Sequence, residues 1–190
     1  MYFDESLNID GAGAGIFFVS PNKDKLHYVL RIHFPASNNV AEYEACLHGI
    51  RLGVELGVKR LYVHGDTALV INQLNKVWDT THQNMDLYCK EIYKWEANFC
   101  EIEYIHVVQD KNQVADALSK LGSSRAQVPH GVFVQDLVKP SIDENLFEAE
   151  KSEALIVHTI QGVPPITNST DWRTPFIKYL TYGTSLLDKT

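Results

Sequence analysis

The chain has 190 residues, 45 % of them hydrophobic and 22 % charged, a composition typical of a globular protein of one domain or slightly more. Its net charge of −7 excludes proteins that bind duplexes through a broad basic surface, but not a metal-dependent enzyme acting on nucleic acid. No apolar run approaches the roughly 20 residues of a membrane span, and the N-terminal MYFDESLNID lacks the regions of a secretion signal. The 3 cysteines are an odd number without CxxC spacing, which indicates reduced thiols. We therefore expect a monomeric protein that is cytoplasmic or nuclear, not secreted, with no membrane partner.

Three stretches near the N-terminus have the patterns of β-strands. MYFDESL comes first, GAGAGIFFVS follows an Asp10-Gly11 turn signal, and KLHYVLRIHF alternates between two faces. Turn residues separate the three stretches, which predicts an antiparallel meander.

The next part of the chain alternates helical and strand patterns. NNVAEYEACLHGI opens a helix for which we predict Asn39 as the N-cap and Gly57 as the stop. A strand (59–66), a short helix (67–75), an amphipathic helix (84–100), a strand (101–108) and a last helix (112–122) follow. The order predicts a mixed α/β sheet with helices packed on its faces.

The composition of the chain changes after residue 125, where 5 of the 7 prolines interrupt short apolar segments on both sides of an acidic run. We predict a largely irregular linker over 124–170 and a truncated helical segment over 171–190. Domain 1–123 should then fold and act without the residues beyond 125.

Glu42 and Glu44 lie two positions apart in the first helix and cannot share a face. At about 100° per residue, Glu44 falls on a flank beside Arg51 and Glu55, which predicts a surface charge. Glu42 falls in line with small residues, so we expect it to be partly covered. A local alternative exists, because with Asn39 as N-cap Glu42 would be the third helical residue, where a carboxylate suits the helix dipole.

Three further acids are candidates, each with a plainer explanation. Asp66 ends a strand where α/β sheets bind ligands, but it could simply cap the next helix. Asp4 lies inside the first strand, where Asp is disfavoured unless the position is an edge. Asp116 lies in the first turn of the last helix and could be ordinary surface.

Together, YFDES, SNNVAEYEA, HGDTALV and NQVADALSK resemble the motifs of a type I ribonuclease H, in that family's order, over roughly residues 1–123. The resemblance implies a ribonuclease H-like fold with a mixed five-stranded sheet (β-β-β-α-β-α-β-α). It implies four catalytic, metal-binding carboxylates, which map onto Asp4, Glu42, Asp66 and Asp116. It also implies that Asn38 and Asn39 contact the RNA strand of an RNA–DNA hybrid. The implied reaction is hydrolysis of that strand to 3′-hydroxyl and 5′-phosphate ends.

Elementary chemistry agrees with this expectation. Converging carboxylates without basic partners repel one another unless cations hold them together. Ligands that are all oxygen favour Mg²⁺, with Mn²⁺ as a substitute, over zinc. Two such ions can activate a water and stabilise the leaving oxygen in an attack on phosphate. We therefore expect two Mg²⁺ ions as cofactors.

The chain resembles in particular the ribonuclease H region of plant gypsy-type retrotransposon polyproteins, because LGSSRAQVPHGVFVQDLVKPSID and DWRTPFIKYLTYG resemble the connector toward integrase. Three departures support an alternative, a catalytically impaired remnant that only binds nucleic acid weakly. Glu5 replaces a glycine of the family, Ala68 replaces a frequent glutamine, and the loop after His106 lacks a frequent histidine.

Overall fold

The computed structural model describes residues 1–80 and 82–142, which lie within the first of two compact units, Met1–Glu144. The predicted helical segment 171–190 lies outside the described residues. In chain order the elements are β1 (Tyr2–Asn8), β2 (Gly11–Val19), β3 (Lys25–Ile32), α1 (Asn38–Glu55), β4 (Arg60–Gly65), α2 (Ala68–Leu74), α3 (Gln83–Glu96), β5 (Glu101–His106), a 3₁₀ turn (Gln109–Lys111), α4 (Gln113–Ser123) and β6 (Val132–Leu137).

The strands form one mixed sheet in the order β5-β4-β1-β2-β3-β6. β1, β2 and β3 make the predicted antiparallel meander, while β4 runs parallel to β1 and β5 runs parallel to β4. The predicted number of five strands is wrong, because β6 adds a sixth strand parallel to β3.

Glycines and alanines alternate along β2, so that the alanines face one side of the sheet and the glycines face the other. Ala14 is fully buried in the main core, which also contains residues of α1 and α3. Gly13 and Gly15 face the other way, and a Cβ at either position would collide with the backbone of α4. The repeat therefore lets α4 pack in backbone contact with the sheet. This contact places the start of α4 beside the middle of β1.

Helix α1 begins two residues earlier than the predicted N-cap implied. Ser37 is the N-cap, and its side chain accepts a hydrogen bond from the backbone N–H of Val40. Asn39 is therefore a helical residue and not the cap, which removes the capping explanation for Glu42. The predicted stop is confirmed, since Gly57 has a φ of +71° just beyond the helix.

Strand β6 lies within the range 124–170 that the sequence predicted to be largely irregular. Its residues pair with β3 from His27↔Val132 to Ile32↔Leu137. The Tyr28 hydroxyl donates to Gln135 at 2.7 Å across this pair. β6 therefore covers the edge that β3 would otherwise expose. Over the parts of the chain that the structure describes, no helix combines the length and the apolar character needed to cross a membrane.

Candidate active site

Three acidic side chains from three different elements converge beside the sheet. Asp4 comes from the middle of β1, Glu42 from α1, and Asp66 from the residue that follows β4. One carboxylate oxygen from each lies within 4.8 Å of the others. The parallel pairing of β1 with β4 produces this arrangement, because it brings the end of β4 alongside β1. The convergence is the geometry that the sequence predicted for these three acids.

Glu42 and Asp4 are buried, with 3 % and 7 % of their surfaces exposed. The Thr67 hydroxyl donates a short hydrogen bond to Oε1 of Glu42. Oε2 of Glu42 is buried and has no hydrogen-bond partner among the described residues. A buried carboxylate oxygen without a donor is costly, so this atom needs either a proton or a cation.

The pKa values of the cluster also indicate that its carboxyl groups need either protons or cations. Burial, followed by the charge of Asp66, raises the pKa of Asp4 from 3.8 to about 7. Burial, with added repulsion from Asp4, Glu5 and Asp66, raises the pKa of Glu42 from 4.5 to about 8, although the Thr67 hydrogen bond opposes the shift. Burial and the charge of Asp66 also raise the pKa of Glu5. Near neutral pH the cluster therefore attracts either protons or divalent cations.

Asn112 fixes the position of Asp66. It is fully buried at the start of α4, and its Nδ2 donates to the Phe3 carbonyl at 2.8 Å and to Oδ1 of Asp66 at 3.3 Å. The sequence pattern predicted a helix from residue 112 and no role for Asn112 at the site. In the structure Asn112 is at the N-cap position of α4, but its side chain makes no capping hydrogen bond. Thr67 was also missed. Its position directly after Asp66 was the only available signal.

Asp116 is not a member of the three-carboxylate group. It lies in the first turn of α4, and its Oδ2 pairs with Nζ of Lys120 at 2.7 Å. Its charge nevertheless contributes to the raised pKa of Asp4, so the two carboxyl groups influence each other. The structure thus brings three of the four predicted acids together and places the fourth at the margin.

The predicted substrate residues lie at the open end of α1. Asn38 is exposed and Asn39 is partly exposed, in the first turn of the helix that carries Glu42. Both residues are at least partly accessible to solvent, and they precede Glu42 by one helical turn.

The prediction that Glu44 is a surface charge is wrong. Glu44 is fully buried, and its Oε1 accepts hydrogen bonds from the Tyr88 hydroxyl at 2.5 Å and from the backbone N–H of Ser141 at 2.7 Å. The flank assigned to solvent is covered by α3 and by the residues after β6. The helical wheel correctly placed Glu42 and Glu44 on different sides of α1, but both of these sides are buried.

The donor set fits a divalent cation that prefers oxygen. The candidate ligands are carboxylates, and Oε2 of Glu42 lacks a partner. No lysine or arginine pairs with Asp4, Glu42 or Asp66 among the described residues. Charge neutralisation by hard cations such as Mg²⁺ or Mn²⁺ would remove both the repulsion and the unsatisfied oxygen.

Comparison with known proteins agrees with this architecture. The family described as Reverse transcriptase-like matches residues 7–122. Ribonuclease HI of Halobacterium salinarum is 34 % identical over 86 residues, which is 44 % of this chain and 42 % of that protein. The crystal structure of RNase H1 from the same organism superposes with a TM-score of 0.59 at 25 % identity, over 66 % of this chain and 96 % of that one.

A second solved structure is the crystal structure of LC11-RNase H1 in complex with an RNA/DNA hybrid. Its TM-score is 0.54 at 19 % identity, over 65 % of this chain and 95 % of that one, a likeness that shows the fold alone. The curated relative is matched over less than half of its length.

The fold and the carboxylate cluster define an α/β protein of the ribonuclease H-like fold, with a six-stranded mixed sheet flanked by helices. The chain belongs to the Reverse transcriptase-like family. The predicted fold class is thereby confirmed, apart from the number of strands.

Proposed function

We propose that this protein is a ribonuclease H, a metal-dependent endonuclease that hydrolyses the RNA strand of RNA–DNA hybrids and leaves 3′-hydroxyl and 5′-phosphate ends. The observation that carries the proposal is the convergence of Asp4, Glu42 and Asp66 within 4.8 Å, with a partnerless carboxylate oxygen on Glu42. The likeness to Ribonuclease HI of Halobacterium salinarum supports the same reaction class.

In this proposal Asp4, Glu42 and Asp66 hold the cations, and Asp116 contributes from the first turn of α4. Two bound Mg²⁺ ions, or Mn²⁺ in their place, would supply Lewis-acid stabilisation of the phosphate and a water of lowered pKa. The protein's own part is to keep the carboxylates in place. Thr67 fixes one oxygen of Glu42, and Asn112 ties Asp66 to the backbone of β1.

The role of Asp116 rests on its electrostatic coupling to Asp4. Its pairing with the exposed Lys120 is a surface interaction of small worth, so the carboxylate can turn toward a cation at little cost. Asp116 would then complete the set of four acids.

Substrate recognition is assigned to Asn38 and Asn39. A hybrid presents a wide, shallow minor groove with 2′-hydroxyl groups that both donate and accept hydrogen bonds. Short amide side chains next to Glu42 can bond to such groups while the neighbouring phosphate lies over the carboxylates. This arrangement would select the RNA strand for cleavage.

A cleavage assay tests the proposal. Incubation of the full chain with an end-labelled RNA–DNA hybrid and Mg²⁺ or Mn²⁺ is expected to give RNA fragments with 3′-hydroxyl ends. Asp66→Asn, which keeps the size of the side chain and removes its charge, should reduce the rate by at least about a hundredfold. Absence of cleavage by the wild type with either metal would leave only weak nucleic-acid binding.

We further propose that the chain derives from a gypsy-type retrotransposon polyprotein of a plant. The support is the resemblance of LGSSRAQVPHGVFVQDLVKPSID to the connector that precedes integrase in such polyproteins. Sequencing of the flanking genomic DNA tests this origin. Reverse transcriptase codons upstream and integrase codons downstream would support it, and unrelated flanking genes would refute it.

A further inference from the structure

Outside the carboxylate cluster, a second buried polar network is centred on Glu44. Its members come from α1, from α3 and from the C-terminal strap, by which we mean β6 together with residues 138–142. The family match ends at residue 122, so the strap lies beyond the matched segment. The network has no part in the proposed chemistry, which raises the question of what it does.

The strap is attached to α1 by three contacts at one residue. The backbone N–H of Ser141 donates to Glu44 at 2.7 Å, and its Oγ lies 2.9 Å from Nε2 of His48. Nη2 of Arg51 donates to the Ser141 carbonyl at 3.4 Å and to Glu91 of α3 at 3.1 Å. Ser141 therefore lies along one side of α1, over three of its successive polar residues.

Apolar contacts hold the strap on both sides of this residue. Leu137 packs in a buried cluster with Ala41 of α1, and Ile142 packs against the main core. Ala41 directly precedes Glu42 in the chain. The strap thus touches α1 both at the level of Glu42 and one turn further on.

The position of Glu44 decides what this attachment achieves. Two helical residues correspond to a rotation of about 200°, so Glu42 and Glu44 project from nearly opposite sides of α1. Both are buried, at 3 % and 0 % exposure. A rotation of α1 about its axis that moves Glu42 must therefore also displace Glu44. The donors on Glu44 resist that rotation.

Because the carboxylate of Glu44 has no exposed surface, its hydrogen bonds are hard to replace with water. The Tyr88 hydroxyl supplies one donor from α3, and the Ser141 N–H supplies the other. Both donors serve Oε1, and Oε2 of Glu44 has no hydrogen-bond partner among the described residues. Loss of the Ser141 N–H therefore leaves the buried carboxyl group with a single donor, which costs more than the loss of an exposed hydrogen bond. A helix under that penalty relaxes by rotating or shifting.

We propose that Ser141 is a positioning residue for the cation site: through Glu44 it fixes the rotation of α1, and hence the place of Glu42 relative to Asp4 and Asp66. This inference rests on the proposed role of those three carboxylates as cation ligands. On this inference the C-terminal strap helps to hold the proposed cation ligands in place, and it is not merely a spacer between domains.

The experiment measures Mn²⁺ binding to the full chain by electron paramagnetic resonance, at a temperature where circular dichroism shows each variant folded. Ser141→Pro removes the N–H that donates to Glu44, because proline has no backbone donor. Ser141→Ala removes only the hydroxyl and keeps that N–H. We expect Ser141→Pro to weaken Mn²⁺ binding about tenfold, the lower range for contacts that orient metal ligands, and Ser141→Ala to change it by less than about twofold.

A stability control separates positioning from general loosening. Ile102→Ala removes an apolar side chain of β5 that packs against the main core, and β5 carries neither a proposed ligand nor a strap contact. It should lower the unfolding temperature while leaving Mn²⁺ affinity near that of the wild type. Ile142→Ala loosens the strap without changing residue 141. It replaces Ser141→Pro if that variant does not fold, with an expected weakening of about threefold.

The outcomes are distinct. Wild-type affinity in folded strap variants would overturn the role of Ser141 while leaving the proposed function intact. Equal weakening by Ile102→Ala would also overturn it, because stability alone would then account for the effect. Absence of Mn²⁺ binding by the wild type would instead refute the cation site on which the proposed function depends.

Discussion

Asn112 donates one amide hydrogen to the Phe3 carbonyl and another to Oδ1 of Asp66, at 2.8 and 3.3 Å. This single buried side chain joins the start of α4 to β1 and to the end of β4. Phe3 directly precedes Asp4, so the same amide sets the separation of two of the proposed ligands. α4 therefore supports the cluster through a residue other than its own acid.

Asn112→Ala should reduce hybrid cleavage more than it reduces folding. Loss of the two donors should lower the free energy of unfolding by about 1–3 kcal/mol, the usual cost of unsatisfied buried acceptors. We expect kcat to fall about tenfold or more with a smaller change in KM, because the ligands are displaced while the substrate surface stays. Steady-state kinetics and urea unfolding measure the two effects. An unchanged kcat would show that Asp66 keeps its place without this amide.

The contribution of the carboxylate cluster to the stability of the metal-free protein should fall as pH rises through its pKa values. Asp4 and Glu42 have folded-state pKa values of about 7 and about 8, above their ordinary 3.8 and 4.5. Between the two sets of values the folded state binds more protons than the unfolded state, so deprotonation favours unfolding. Two groups act in the opposite direction between pH 6.5 and pH 8, because burial lowers the pKa of the Met1 amino group from 8.0 to about 6 and the pKa of His48 from 6.5 to about 4. The contribution of the cluster is therefore measured as the difference between the wild type and a variant that lacks one of its carboxyl groups.

Urea unfolding in EDTA at pH 6.5 and pH 8 measures this dependence, with Glu42→Gln as the control that removes one titrating group. From pH 6.5 to pH 8 the wild type should lose stability relative to Glu42→Gln. Mg²⁺ should restore stability more at pH 8 than at pH 6.5, because the ligands must be deprotonated to bind it. A wild-type stability that rises with pH relative to Glu42→Gln would contradict the raised pKa values.

Gly15→Ala should destabilise the fold strongly. A Cβ at this position would collide with the Ala115 carbonyl at the start of α4, and a backbone atom cannot move aside cheaply. We expect a loss of about 3 kcal/mol, toward the upper end for overpacking. Gly57→Ala is the control, since a Cβ there meets no atom within 4 Å and only the φ of +71° is unfavourable, at about 1 kcal/mol. Thermal unfolding compares them, and equal losses would argue against the close packing of α4.

Shortening the chain should show where the domain ends. A chain that stops at residue 125 lacks β6 and the Ser141 contact with Glu44, so it should unfold at a clearly lower temperature than the full chain. A chain that stops at residue 144 keeps both and should unfold near the full-chain temperature. Equal stability of the two shortened chains would show that the strap contributes little, as the sequence alone suggested.

The sequence predicted the meander, the order of helices and strands, and the grouping of Asp4, Glu42 and Asp66. These features follow from local patterns and from acids placed at the ends or middles of recognisable elements. Glu44 was misassigned because a helical wheel describes one helix and not the neighbours that cover it. Its partners, Tyr88 and Ser141, are 44 and 97 residues away in the chain.

β6 was missed for a related reason. Its pairing with β3 joins residues more than 100 positions apart, such as His27 and Val132, and the surrounding prolines resemble those of a linker. Asn112 was not predicted as a site residue, because an asparagine at the start of a helix is typical of an ordinary N-cap. Only the folded arrangement shows that its amide is directed to β1 and Asp66.

The central claim is that Asp4, Glu42 and Asp66 together bind divalent cations. Isothermal titration of the full chain with Mn²⁺, beside Asp66→Asn and the surface control Glu103→Gln, tests it most directly. We predict binding by the wild type and the control, and a loss of at least about tenfold in affinity for Asp66→Asn. Equal affinity of all three proteins, or no binding by the wild type, would contradict the account.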